Sequence, residues 1–268
     1  MAADDLPALA SWVGANALAV FGLLLALLLA SVAAGWWLLS ARWLPRIQHR
    51  LPEPAFVLLT GAAGFAVVVG AAAAFAEIAE KLSPSGAMSR IDDALTASIR
   101  SHVGAATLQA FKLVTHFGDV LTLSVLGAVV AALLWATRQR ALALGWVLAL
   151  GGNGLLNPLL KRVFERVRPE HAHGLVVEAS YSFPSGHSSG AVVAYGMLAY
   201  LAVRLLPPAW HLGAVLAATA LAFTIGCSRI FLQVHFASDV AAGFASGMAW
   251  LAVCIVSIEL SRHYRHQG

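Results

Sequence analysis

Long apolar runs alternate with short polar segments along this chain of 268 residues. A helix needs roughly 20 apolar residues to cross a bilayer. Seven stretches qualify: about 16–40, 54–76, 120–137, 141–160, 187–203, 208–227 and 240–258. The first is too long for the apolar core of a signal peptide, and it follows Asp4 and Asp5 rather than a basic leader. It is therefore expected to be a retained helix. Segment 88–118 is too polar to span. Within it Ile91, Leu95, Ile99 and Val103 recur at helical spacing, and Leu108 and Phe111 extend the apolar set. This predicts one or two amphipathic helices at the outer membrane surface, either packing over the bundle or gating a substrate. His116 and Asp119 open the third span and carry no assigned role. The expected fold class is all-α, a polytopic membrane bundle of about seven transmembrane helices.

Composition agrees with that pattern. Only 11% of the residues are charged and 60% are hydrophobic, where a soluble domain carries roughly 25% charged residues. The excess of 17 basic over 13 acidic residues is small, so no nucleic-acid partner is indicated. Cys227 and Cys254 both lie in apolar runs and read as packing residues rather than a disulfide or metal pair. No internal repeat or low-complexity linker interrupts the chain. Alternation of seven spans sorts the polar segments into two sets. One set, loop 41–53, the turns at 138–140 and 204–207 and the C-terminal tail, holds Arg42, Arg46, Arg50, Arg138, Arg140, Arg204, Arg262 and Arg265 against Glu53 and Glu259. Short arginine-rich loops stay cytoplasmic, which places the C-terminus inside. The N-terminus and segments 77–119, 161–186 and 228–239 then lie outside.

Three polar clusters fall on that outer side. KRVFERVRP (161–169) ends the fourth span. Lys161 and Arg168 are seven apart, two helical turns, and so are expected on one face, and Pro169 then discourages further helix. Asn153 and Asn157 extend the Lys161 face into the membrane, where polar groups point into a bundle. By the same count Arg162, Glu165 and Arg166 fall off the face and read as interfacial charges. SFPSGHSSG (182–190) opens the fifth span. Pro184 and Gly186 bend the chain there, Ser185, Ser188 or Ser189 can cap the helix, and His187 sits at a helix start suited to anions. SRIFLQVHFASD (228–239) joins the sixth and seventh spans. If the last helix has begun by His235, Asp239 lies one turn on and can hydrogen-bond one ring nitrogen, leaving the other free to attack. Taken singly, each cluster also reads as a snorkelling helix end, a structural histidine or a surface pair. Alternation gathers Lys161, Arg168, His187, Arg229, His235 and Asp239 on one side, and cations around two histidines suit the charge of a transferring phosphoryl group.

Lys161-x6-Arg168-Pro169, Pro184-Ser185-Gly186-His187 and Ser228-Arg229-x5-His235-x3-Asp239 resemble the three signature motifs of the type 2 phosphatidic acid phosphatase superfamily, over about residues 55–260. The gap of 14 residues between Pro169 and Pro184 is similar to that of bacterial members of the phosphatidylglycerophosphatase B and undecaprenyl-pyrophosphatase type. Those usually have six spans, so the first helix here is additional. The resemblance implies His235 as nucleophile forming a phosphohistidine, Asp239 orienting it, and His187 as general acid and then base. Lys161, Arg168 and Arg229 would clamp phosphate oxygens, helped by the Ser185 hydroxyl and the Gly186 N–H. It implies no metal and no cofactor. The expected organisation is an additional helix and cytoplasmic loop over 1–53, a phosphatase core over 54–260 and a cytoplasmic tail over 261–268.

The leading functional expectation is an integral-membrane hydrolase of lipid phosphates or pyrophosphates. Its substrate would be undecaprenyl pyrophosphate, phosphatidylglycerophosphate or phosphatidic acid in type. The expected location is a bacterial inner membrane, with the site on the periplasmic side. A lipid phosphotransferase using the same site, and an anion or lipid transporter with a charged vestibule, are the competing readings. Against transport, the charged motifs lie at span ends on one side, and no ionisable residue crosses the membrane centre.

Overall fold

The computed structural model describes residues 5–43, 53–83, 86–169, 176 and 180–266, and the regular structure among them is helical throughout. α1 (Asp5–Ala15) leads directly into α2 (Ala17–Trp37), which continues as a wider turn over Leu38–Trp43. α3 (Glu53–Glu80), α4 (Ala87–His102) and α5 (Ala105–Thr115) follow, then a short turn at His116–Gly118 and α6 (Val120–Ala136). α7 (Arg140–Phe164), α8 (Gly186–Leu205), α9 (His211–Phe231) and α10 (Ala237–His266) complete the bundle. Among the described residues, six helices are long and apolar enough to cross a membrane. The remaining expected span is α6, only 17 residues long; counted with α5 across a 43° bend, it makes a seventh. Most of the loop expected at 41–53, with Arg46 and Arg50, lies outside the described residues.

In lipid, close packing and polar contacts hold helices together, because hydrocarbon is as apolar as the side chains. α8 is the central helix, packed on α7, α9 and α10 and buried along most of its length from Ser188 to Met197. Gly243 and Gly247, one turn apart on α10, permit that approach. A Cβ on Gly243 would lie 2.6 Å from the Ser185 carbonyl oxygen, and one on Gly247 2.9 Å from the Ser189 backbone. The starts of α8 and α10 are thereby set side by side. Two indole N–H groups find backbone partners inside the bundle. Trp146 donates to Gly127 O and Trp250 to Ala149 O, both at 2.8 Å, tying α7 to α6 and to α10.

The amphipathic segment forms α4 and α5, and it is a packing element. Ile99, Leu108 and Phe111 are buried against Phe231, Leu232 and Val234, with Leu95 and Val103 at the edge of the cluster. The fully covered face of α4 nevertheless includes Asp92 and Thr96 as well as Ile99. α1 lies along α4 and α2 along α9, with Phe21 of α2 packed edge-on against Phe111 and Phe231. The additional N-terminal helices are thus part of the wall around the α9–α10 connection.

Two helix boundaries differ from the sequence reading. α7 stops at Phe164, where Glu165 turns left-handed at φ 45° while its N–H closes on Lys161 O at 3.0 Å. Arg168 is therefore not on the Lys161 helix, and Pro169 is not what ends it. α10 starts at Ala237, after His235, because the Asp239 carboxylate accepts the Phe236 N–H at 2.9 Å and caps the helix there.

Candidate active site

His235 is held by the way α9 ends. The Arg229 carbonyl accepts both the Val234 and His235 N–H groups, at 3.1 and 3.2 Å, around a left-handed Gln233 with φ 55°. A non-glycine residue in that conformation costs on the order of 1–3 kcal/mol and persists only where its surroundings over-determine it. Gln233 is buried and tethered at both ends of its amide, by Arg100 Nε at 3.2 Å and by the Thr96 carbonyl at 3.5 Å. The His235 ring is 2% exposed, with Nε2 3.0 Å from Arg168 Nη1 and Nδ1 3.4 Å from Asp239 Oδ2. A guanidinium only donates. Nε2 therefore accepts, and the ring proton sits on Nδ1, facing the carboxylate. Burial, reinforced by Arg168 and Arg229 and opposed by Asp239, pushes the imidazole down to about 3, so it is neutral near pH 7.

Asp239 is supported on all sides. Its Oδ2 also accepts from the Ser182 hydroxyl, and its Oδ1 takes Arg166 Nη1 at 2.7 Å. Arg166 reaches further, to Ser238 Oγ at 2.7 Å and to Asp92 Oδ2 at 2.8 Å, and its guanidinium lies 4.3 Å over the Phe236 ring. Asp92 in turn takes the Ser238 hydroxyl and, at 3.2 Å, the Ser238 N–H. Burial raises the Asp92 carboxyl above its ordinary range even though Ser238 and Arg166 work against the shift. The expectation that Arg166 is an interfacial charge is therefore corrected: its side chain is 13% exposed and bridges two buried carboxylates. Helical face-counting fails past Glu165 because the helix has already ended, whereas Arg162 and Glu165 are indeed exposed.

The remaining predicted residues converge by turns of the chain. Lys161 Nζ reaches Ser180 Oγ at 3.1 Å and the Tyr181 carbonyl, and Arg168 Nε reaches the Ser180 carbonyl at 2.6 Å. The two cations thus meet on segment 180–181. Ser185 is buried as the N-cap of α8, its oxygen accepting from the Ser188 N–H at 3.4 Å. Gly186 begins α8 where a Cβ would come 2.9 Å from Asn157 Oδ1. Asn153 and Asn157 are buried in the bundle as expected. Arg229 is fully buried, and its Nη1 donates to Thr115 Oγ1 at 2.8 Å. His187 Nε2 lies 2.8 Å from Asp119 Oδ1, and Asp119 Oδ2 lies 2.7 Å from His116 Nδ1. Sequence reading gave Asp92, Asp119, His116 and Ser182 no part here. His116 and Asp119 stood out as polar residues opening the third span and Ser182 as the first residue of the SFPSGHSSG cluster, whereas Asp92 carried no signal of its own.

These groups head a cavity of about 730 Å³. Lys161, Arg168, Ser180, Gly186, His187 and His235 line its polar end. It continues between α6 and α7 past Leu123, Gly127, Ala131, Leu150, Gly151 and Trp146. From Lys161 to Trp146 the helix rises about 22 Å at 1.5 Å per residue, most of a ~30 Å hydrocarbon layer. Ser185, Arg229 and Asp239 are not among the lining residues.

The cavity joins a cationic, two-histidine head to a mainly apolar trough among helices long and apolar enough to cross a membrane, chemistry that suits an anionic amphiphile. The family model described as the PAP2 superfamily matches residues 140–262, which include all eight residues predicted for the site. The chain is 40% identical over 137 residues to phosphatidylglycerophosphatase B of Bacillus subtilis, covering 50% of this chain and 67% of that one. It is 33% identical over 172 residues to lipid A 1-phosphatase of Rhizobium etli, covering 56% and 70%. The crystal structure of a transmembrane PAP2-type phosphatidylglycerolphosphate phosphatase from Bacillus subtilis superposes with a TM-score of 0.66 at 31% identity, covering 70% of this chain and 94% of that one. The chain belongs to the PAP2 superfamily.

Proposed function

We propose that the protein is a lipid phosphatase that cleaves a phosphate monoester or pyrophosphate from a membrane lipid through a phosphohistidine on His235. The observation that carries this reading is the continuous cavity: a cationic pocket beside two histidines that opens into a mainly apolar trough, the whole running about 22 Å from Lys161 to Trp146, room for a lipid tail. The phosphoryl oxygens take up the donors of Lys161 and Arg168, so the Arg168 hydrogen bond on His235 Nε2 is released and the lone pair faces phosphorus. The Nε2–P bond forms as the bond to the leaving oxygen breaks, and His187 passes a proton to that oxygen. The positive charge on the His235 ring is met by Asp239. Water then attacks phosphorus with His187 taking its proton, the N–P bond breaks, and phosphate leaves. Protein donors and cations supply the electrostatic stabilisation of this transfer, and acid–base assistance contributes about 10²–10⁴-fold. Arg229 and Ser185 act from behind the wall, Arg229 by its positive charge and Ser185 by fixing the start of α8.

The relatives named above are by name a phosphatidylglycerophosphatase and a lipid A 1-phosphatase, which supports a phosphatidylglycerophosphate type of substrate. The arginine excess of the opposite polar set supports a site on the outer face of an inner membrane. The test is phosphate release by purified protein from a panel of phosphatidylglycerophosphate, phosphatidic acid and undecaprenyl pyrophosphate, with no acceptor added. The expected result is release from at least one lipid, abolished in a folded His235→Ala variant. Release only on adding an alcohol acceptor would point to a phosphotransferase, and wild-type turnover by His235→Ala would remove the nucleophile assignment.

A further inference from the structure

Asp119 lies outside the residues matched to the family model, yet a whole turn of chain is built around it to reach His187. The short turn His116–Gly118 is pinned from three sides. Arg229 donates to Thr115 Oγ1 just before it, at 2.8 Å. The Tyr195 hydroxyl on α8, two turns beyond His187, donates to the Phe117 carbonyl at 2.8 Å. Gly118 lies so near the His187 ring that a Cβ there would come 3.0 Å from His187 Cδ2 and 2.6 Å from Ile225. Asp119 follows in extended conformation at φ −64°, ψ 146°, and its side chain makes no cap to α6. Its two oxygens instead take one imidazole each: His187 Nε2 at 2.8 Å and His116 Nδ1 at 2.7 Å. The side chains run from 13% exposed at His187 through 38% at Asp119 to 57% at His116. The line therefore leads from the cavity to the outside.

We infer that Asp119 is a positioning residue for His187, and that with His116 it forms a His–Asp–His line that fixes the ring with Nδ1 as the exchanging nitrogen and favours its proton-donating form. The inference rests on the acid–base role proposed for His187. An imidazole whose Nε2–H is given to a carboxylate must exchange protons with the substrate through Nδ1. The carboxylate also stabilises the imidazolium, the form needed to protonate a leaving oxygen. In the forward step the His187 Nδ1 proton goes to the leaving oxygen as the P–O bond breaks. In hydrolysis the same nitrogen takes a proton from water as the N–P bond breaks, so each turnover restores it. Other charged or titratable groups around the ring are Lys161, Arg168 and His235 on the cavity wall, Arg229 through Thr115, and Tyr195 through Phe117.

The experiment compares kcat/KM for dodecyl phosphate, whose alkoxide must be protonated, with a dodecyl-substituted nitrophenyl phosphate, whose phenolate leaves without help. Asp119→Asn, run as monodisperse protein in detergent, should lose about 10²-fold on the alkyl ester, the lower range for general acid catalysis. The loss on the aryl ester should be about tenfold smaller. Asp119→Asn combined with His187→Ala should be no slower than His187→Ala alone, because residues acting as a unit are not additive. Asp119→Asn should move the basic limb of the pH profile on the alkyl ester downward, since the carboxylate that stabilises the imidazolium is gone. Equal losses on both esters, or additive losses in the double variant, overturn the inference even though the wild type is active. A wild type that hydrolyses neither ester fails the phosphatase reading instead.

Discussion

Replacing Arg166 by methionine removes a cation shared by Asp92 and Asp239, whose side chains are 2% and 0% exposed. Breaking a buried ion pair by deleting one partner costs about 3–5 kcal/mol, because a charge is left uncompensated. Two pairs break here, but both carboxylates keep neutral donors, Ser182 and Phe236 on Asp239 and Ser238 on Asp92. Both also sit at the positive end of α10. The total is thus expected near about 3–5 kcal/mol rather than twice that. At about 2–4 °C per kcal/mol for a chain of this size, the midpoint of thermal unfolding should fall by on the order of 10 °C. Asp239 would then lose its charged anchor on Oδ1 and its fixed alignment on His235. kcat/KM for phosphate release should drop about 10²-fold, the cost of misplacing a reacting group by about an ångström. Arg166→Lys should not rescue, since a point charge cannot bridge two carboxylates as a planar fork does. The control is the pair with Asp92→Leu. Without Arg166, removing Asp92 also removes a stranded charge, so the double variant should be less destabilised than the sum by about 1–3 kcal/mol. Additivity within about 0.5 kcal/mol, together with wild-type activity in Arg166→Met, would refute the account of this network.

Three further outcomes are expected. A Cβ at Gly151 meets nothing within 4 Å and the residue lines the trough, so Gly151→Phe should raise KM for a long-chain lipid phosphate about tenfold, roughly 1.4 kcal/mol of lost tail contact, and leave a short-chain ester little changed. Folding lowers the His235 imidazole from its free value of about 6.5 to about 3. The unfolded chain therefore binds more protons there, and thermal stability should fall as pH drops below about 6.5 toward 3, with the slope reduced in a folded His235→Gln variant. Phosphate release should persist in excess EDTA, and a strict Mg²⁺ requirement would contradict the proposed role of fixed protein donors.

The spans were legible because hydropathy alone decides what a bilayer accepts, and alternation alone brings the ends of α7, α8, α9 and α10 to one side. The convergence of Lys161 and Arg168 was legible too, although it arises from a left-handed exit at Glu165 and not from a shared helical face. What was hidden depends on contacts between distant parts of the chain. Asp92 meets Ser238 across 146 positions, and Asp119 meets His187 across 68. Neither pairing leaves a periodic signature. Arg166 was misjudged for a local reason: two residues past the end of a helix, its direction follows the turn and no longer the 3.6-residue period. The polar face of α4 was similarly ambiguous, since an aspartate on an amphipathic helix faces water unless a buried cation waits for it.

The most direct test of the central claim is to trap the covalent intermediate. Purified protein incubated briefly with a ³²P-labelled lipid phosphate and quenched in alkali should carry label that is stable to base and released by mild acid, the behaviour of a phosphoramidate. The label should map to the peptide containing His235 and be absent from His235→Ala. Label that survives in His235→Ala, or turnover of substrate by that variant at the wild-type rate, would contradict the account.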